Sequence, residues 1–190
     1  MGNARARSSA IHRELLEDIE YLAGQSEDEV DEVPWQATSL REIEWLEKQR
    51  KIEKILADFR ANIPSVAEDV PYQIRAIFRC VHQHLFDVQM NVNWVRHRCG
   101  WRNKNISSRF RRISGVGLRD YIELGRIEAA KRLLLHHDLE IYLIATAVGY
   151  EHQETFSRAF QRQVGKLPSD WREQYSEVEE YPEFRSGGRV

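Results

Sequence analysis

The side chains best suited to chemistry in this chain are hydrogen-bonding groups in two short runs, each following a glycine. Asn103, Lys104, Ser107, Ser108 and Arg111 come after Gly100, and Gln153, Glu154, Ser157 and Arg158 come after Gly149. Spacings of three and four residues put each set on one side of a helix, while Ile106 with Phe110, and Phe156 with Phe160, fall on the other. A guanidinium or carboxamide can bond two atoms of a guanine or adenine edge at once, so Arg158 and Gln153 suit base reading at about 1–3 kcal/mol each. Lys104 suits a phosphate equally well, and the serines read bases weakly, so the first run serves mainly to position the protein. Both runs are candidate surfaces for a DNA duplex.

Other reactive groups do not assemble into a rival site. Cys80, His84, His97 and Cys99 are the set that most resembles metal ligands, but His97 and Cys99 straddle a turn and match no zinc-finger spacing. No nucleophile, base and orienting group fall together, and no glycine-rich phosphate loop is present, so neither enzymatic activity nor a cofactor or metal is expected. Trp35, Trp45, Trp94, Trp101 and Trp171 are too scattered for a base-stacking platform and read as core or interface residues.

The elements that must carry the two runs are helices. A short helix over 92–98, a turn at Cys99-Gly100-Trp101 and a helix over 103–113 form one helix-turn-helix. A helix over 139–148, a turn at Gly149-Tyr150 and a helix over 152–164 form a second, and Pro168 opens a final short helix. Between them the spacing predicts a long amphipathic helix over 118–135 that turns Tyr121, Ile122, Leu124, Ile127, Ala130, Leu133 and Leu134 inward. His136 and His137 end it, where a protonated imidazole complements the C-terminal dipole. Upstream, a helix over 71–86 presents Ile74, Ile77, Phe78, Val81 and Leu85, and one over 11–22 presents Ile11, Leu15, Ile19 and Leu22. The helix from Ser39, whose capping box is completed by Glu42, to Asn62 carries a seam of Trp45, Gln49, Ile52, Leu56, Phe59 and Ile63. Three uses of that seam stay open: homodimer formation through residues 39–63, packing on the rest of the chain, or contact with another protein. No stretch alternates with period two, so the fold class is all-α.

Charge divides the chain. Residues 1–66 hold 9 Lys and Arg against 14 Asp and Glu, residues 67–175 hold 17 against 12, and residues 176–190 hold 2 against 4. The expected organisation is a helical N-terminal arm (1–66, with an acidic loop at 25–34), a basic double helix-turn-helix domain (67–175) and a flexible acidic tail (176–190). The apolar runs are too short to span a membrane, the start lacks a secretory pattern and two cysteines cannot build a disulfide framework. A soluble, cytoplasmic, nucleoid-associated protein is expected.

The residues Ile141, Ile144-Ala145, Val148-Gly149-Tyr150, Phe156-Ser157-Arg158-Ala159-Phe160, Arg162, Gly165, Pro168-Ser169 and Trp171-Arg172 closely resemble the C-terminal signature of the AraC/XylS family of transcription activators. Cys99-Gly100-Trp101, Ile106, Arg109-Phe110, Gly115, Tyr121, Arg126, Ala129 and Leu133-Leu134 are similar to the first half of the same domain. The resemblance covers roughly residues 70–175. It implies seven helices in two subdomains joined by the long helix, each placing one helix in consecutive major grooves. It assigns base reading to Lys104, Ser107 and Ser108 in the first motif and to Gln153, Glu154, Ser157 and Arg158 in the second. Arg109 and Arg162 are equally suited to salt bridges.

The chain departs from the family pattern in two places. Most members carry a β-rich ligand-binding domain upstream, which the helical residues 1–66 do not form. Glu151 and Glu154 add negative charge beside the second reading helix, where each can cap the helix start or accept from a cytosine amino group; capping suits Glu151 better. Two functions follow. One is a sequence-specific regulator of transcription with duplex DNA as partner and RNA polymerase or another protein at the arm. The alternative is a protein–protein adaptor that uses the arm and keeps the helix-turn-helix domain as a scaffold, and an acidic arm that inhibits DNA binding is a third arrangement.

Overall fold

The computed structural model describes residues 40–100 and 105–175. The expected helix over 11–22, the acidic loop, the Ser39 cap, Trp35, Trp101 and the tail lie outside the described residues. Eight helices occur among those described, and no strand: α1 (Leu40–Ala61), α2 (Tyr72–His84), α3 (Val92–Arg98), α4 (Asn105–Ser114), α5 (Leu118–Leu134), α6 (Ile141–Ala147), α7 (Gln153–Val164) and α8 (Pro168–Gln174). Local signals account for the ends. Asn91 caps α3 by accepting from the Trp94 amide at 3.0 Å, Pro168 occupies the first turn of α8, and Gly165 closes α7 in the left-handed conformation.

The long helix α5 is the axis of the fold. It packs on α4 to one side and on α6 and α7 to the other. Its buried residues, Leu118, Ile122, Arg126, Ile127, Ala129, Ala130, Leu133 and Leu134, are spread round the helix rather than along one stripe. The amphipathic expectation is corrected in that respect, because a helix shared by two subdomains must bury more than one face. Leu124, expected to face inward, is only half-buried.

Each subdomain has an aromatic centre. In the first, the Phe78 and Phe110 rings lie 4.7 Å apart and Tyr121 from α5 meets both edge-on, at 5.3 and 5.5 Å. In the second, Tyr150, Phe156, Phe160 and Trp171 form a chain of contacts at 5.5, 5.7 and 6.2 Å. Edge and tilted pairs of this kind add about 0.5–1.5 kcal/mol each beyond their burial. Arg172 fastens α8 to the end of α5 by donating to the Leu134 and Leu139 carbonyls at 3.2 and 2.7 Å.

Helix α1 is part of this body. Ile52, Leu56 and Phe59 belong to the same buried cluster as α2 and α5, the Phe59 ring lies 6.0 Å from Phe86, and the Arg132 guanidinium sits 5.0 Å over Phe59. Lys48 and Lys51 reach Glu140 and Asp138 at 2.6 and 2.8 Å. The lower half of the seam is therefore consumed by the chain's own core, while Ile43 and Trp45 near the start of α1 remain 43% and 45% exposed.

The same contacts alter the histidine at the end of α5. Burial first, then the nearby Lys51 cation, lowers the His136 pKa against a smaller opposing pull from Asp138. That lowering disfavours the protonated form which the expected helix-end role calls for.

Candidate DNA-binding interface

In the first motif Val95, Ile106 and Phe110 are buried together, which fixes the roll of α4 and turns Ser107, Ser108 and Arg111 to solvent. Asn103 and Lys104 lie outside the described residues. In the second motif Ile144, Ala145 and Val148 from α6 and its cap, with Phe156 and Phe160 from α7, make the matching inner side. Gln153, Glu154 and Arg158 are exposed on α7, whereas Ser157 is half-buried. His152 holds the N-cap position of α7.

The turn of each motif needs a glycine, for different reasons. Gly100 and Gly149 both adopt positive φ, +60° and +92°. Around Gly100 an added Cβ would meet nothing within 4 Å, but at Gly149 it would lie 2.9 Å from the Arg126 guanidinium and 2.9 Å from the Phe86 carbonyl oxygen. The second turn is a close approach of backbone to a buried side chain as well as a left-handed residue.

Arginines near the two reading helices divide by role. Arg162 donates to Glu123 at 2.6 Å, with Gln163 on the other carboxylate oxygen at 2.6 Å, so Arg162 takes the salt-bridge role. Burial alone would raise the Glu123 carboxyl, but those two bonds and the Arg162 charge more than offset it and hold it below its ordinary value. Arg109, Arg111, Arg112 and Arg119 stay exposed around α4, as do Arg96 and Arg98 on α3. From residue 88 to residue 119 the chain holds eight Lys and Arg and no Asp or Glu. The positive charge of the middle region is thus concentrated in the first subdomain. Arg112 and Arg119 were legible in the sequence, Arg112 lying one helical turn after Ser108.

Cys80 and Cys99 are free thiols, and burial, then a side-chain hydrogen bond with Cys80, pushes the Cys99 thiol up to about 11. His84 is instead held by Asp87 at 2.7 Å and meets the Trp94 ring edge-on at 4.9 Å, and His97 is exposed. Among the described residues no group of three or more His, Cys, Asp or Glu is placed to hold a metal, and no helix is long and apolar enough to cross a membrane.

Comparison with known proteins agrees with this architecture. A family model described as a helix-turn-helix domain matches residues 95–174. The chain is 32% identical over 99 residues to the regulatory protein SoxS of Escherichia coli K12, covering 52% of this chain and 92% of SoxS. It is 36% identical over 67 residues to the transcriptional activator RhaR of E. coli O1:K1, covering 35% of this chain and 24% of RhaR. Among solved structures, the C-terminal domain of AraT, a response regulator from Geobacillus stearothermophilus, shares the fold with a TM-score of 0.55 at 23% identity, covering 62% of this chain and 97% of that domain. The DNA-binding domain of AdpA, solved with a target DNA, does so with a TM-score of 0.50 at 23% identity, covering 54% of this chain and 92% of AdpA's domain. With two helix-turn-helix units on one axial helix and a relative of this extent, the chain belongs to the AraC/XylS family and is a transcriptional regulator with an AraC-type DNA-binding domain.

Proposed function

We propose that this protein recognises duplex DNA sequence-specifically, with α4 and α7 in successive major grooves and residues 67–175 as the DNA-binding portion. The observation that carries the reading is the pairing of two exposed polar helix faces, each backed by a buried phenylalanine scaffold, on one shared helix. Two such heads on one polypeptide can address half-sites about one helical turn apart without dimerising.

The two heads divide the work. The first, whose run from residue 88 to residue 119 is rich in arginine and free of acidic residues, supplies most of the phosphate attraction through Arg111, Ser107 and Ser108, to which the sequence adds Asn103 and Lys104. The second supplies discrimination: Arg158 reads a guanine edge, Gln153 an adenine edge, Glu154 accepts from cytosine or stabilises the helix start, and Ser157 makes a weaker contact. Selection of bound duplexes from a random pool by the full chain tests this. The expected result is a two-part consensus with centres about 10 base pairs apart. No enrichment, or one short uninterrupted block, overturns it.

The exposure of Ile43 and Trp45 at the outer end of α1 favours a second reading, in which that end engages another protein. Gel shift at low salt separates the two. A full chain that retards no duplex from the pool supports the adaptor, and one that retards a selected site supports the regulator.

A further inference from the structure

Arg126 is the charged side chain that is buried among the described residues, at 8% exposure, and it is bonded to main-chain carbonyls rather than to a carboxylate. From its place midway along α5, Nε donates to the Leu85 oxygen at 2.8 Å, and Nη2 to those of Asp87 and Met90 at 2.8 and 3.2 Å. These three belong to the connection between α2 and α3, inside the first subdomain. Nη1 donates at 2.9 Å to the oxygen of Gly149, the turn residue of the second motif. The guanidinium lies 5.6 Å from the Tyr150 ring and so close to Gly149 that no Cβ fits between them.

Burying a cation among neutral acceptors is costly, and an apolar side chain of similar size would avoid that cost only by leaving the four carbonyl oxygens without this donor. What a guanidinium adds is a rigid planar fork whose donors leave in fixed directions. Here three of its bonds hold one subdomain and the fourth holds the turn of the other. We propose that Arg126 is a positioning residue that sets the separation and angle of α4 relative to α7, and so determines which half-site spacing the protein accepts. The inference rests on the reading that both helices enter the duplex. Inserting one base pair moves one half-site about 3.4 Å and turns it about 34° about the axis, since a turn holds roughly 10–10.5 base pairs in 34–36 Å. A clamped pair of heads cannot follow that change, and an unclamped pair follows it in part.

The test compares full-length proteins on the selected site and on the same site with one base pair inserted between its halves. The wild type should lose at least about tenfold on the insertion, the scale of a misplaced contact. Arg126→Met should bind the natural spacing more weakly and lose no more than about threefold on insertion, and Arg126→Lys, which lacks the fork, should fall between. Leu133→Ala, a buried change on the same helix, should lower stability and keep the tenfold penalty, which separates clamping from general loosening. If Arg126→Met does not fold, the Lys variant carries the comparison. The inference is overturned if the Arg126 variants keep the full penalty or if Leu133→Ala relaxes it equally. A wild type that selects no two-part site would instead overturn the functional reading beneath it.

Discussion

Replacing Arg111 and Arg112 together by glutamine should separate attraction from discrimination, and the size of the effect follows from where the charges lie. Both guanidiniums are exposed on the last turns of α4, in a stretch of 32 residues with no acidic side chain to compete for them. Each phosphate contact contributes about −0.9 to the slope of log affinity against log salt, so losing two should flatten the slope by about 1.8. Because a change from about 50 to about 200 mM salt is 0.6 of a decade, the variant should lose about twelvefold less affinity than the wild type over that range. The loss should be similar on the selected site and on random duplex, because phosphates carry no sequence. Arg158→Ala should do the reverse: about 1–3 kcal/mol lost on the selected site, little on random DNA, and an unchanged slope. Fluorescence anisotropy titrations of both variants on both duplexes at four salt concentrations provide the measurement. An unchanged slope for the double variant, or equal losses for Arg158→Ala on both duplexes, refutes the division between the heads.

Three further predictions concern the scaffold. Gly149→Ala should destabilise the protein by about 2–4 kcal/mol, combining left-handed strain with overpacking on Arg126 and Phe86, whereas Gly100→Ala should cost about 1–2 kcal/mol from strain alone. Urea denaturation midpoints rank the pair, and equal shifts would remove the close-approach argument. Phe59→Ala should cost about 3–5 kcal/mol and Ile43→Ala less than about 1 kcal/mol, because the first lies in the shared core and the second near the outer end of α1. Equal, small losses would mean that α1 is detached in solution. His82, bonded to the Tyr121 hydroxyl at 2.7 Å, has its pKa lowered by burial from an ordinary 6.5. A depressed folded-state value means that its contribution is complete above the unfolded value and declines as pH falls below about 6.5 toward the folded one. His82→Gln should flatten stability against pH in that interval, and an unaltered profile would count against it.

Among the described residues the sequence alone determined the succession of helices, the two glycine turns and the inner sides of both motifs. Val92–Arg98 has the ends expected of it, and Phe110, Phe156 and Phe160 are buried where a three-and-four spacing puts them. These features arise from interactions within a turn or two of the chain, so a local pattern carries them. Arg111 and Arg158 were legible for the same reason, as polar residues opposite a local apolar face. Tertiary structure decided what depends on distant partners. Ile52, Leu56 and Phe59 suited the chain's own core, a second copy or another protein, and the core holds them together with ion pairs reaching 92 and 87 residues ahead. Arg162 became a salt-bridge partner because Glu123 stands on the neighbouring helix, and the His136 pKa is lowered because burial and Lys51 meet there. Arg126 resembled a family position in one dimension; its four carbonyl bonds, spanning 41 residues backward and 23 forward, exist only once α5 has drawn both subdomains against it.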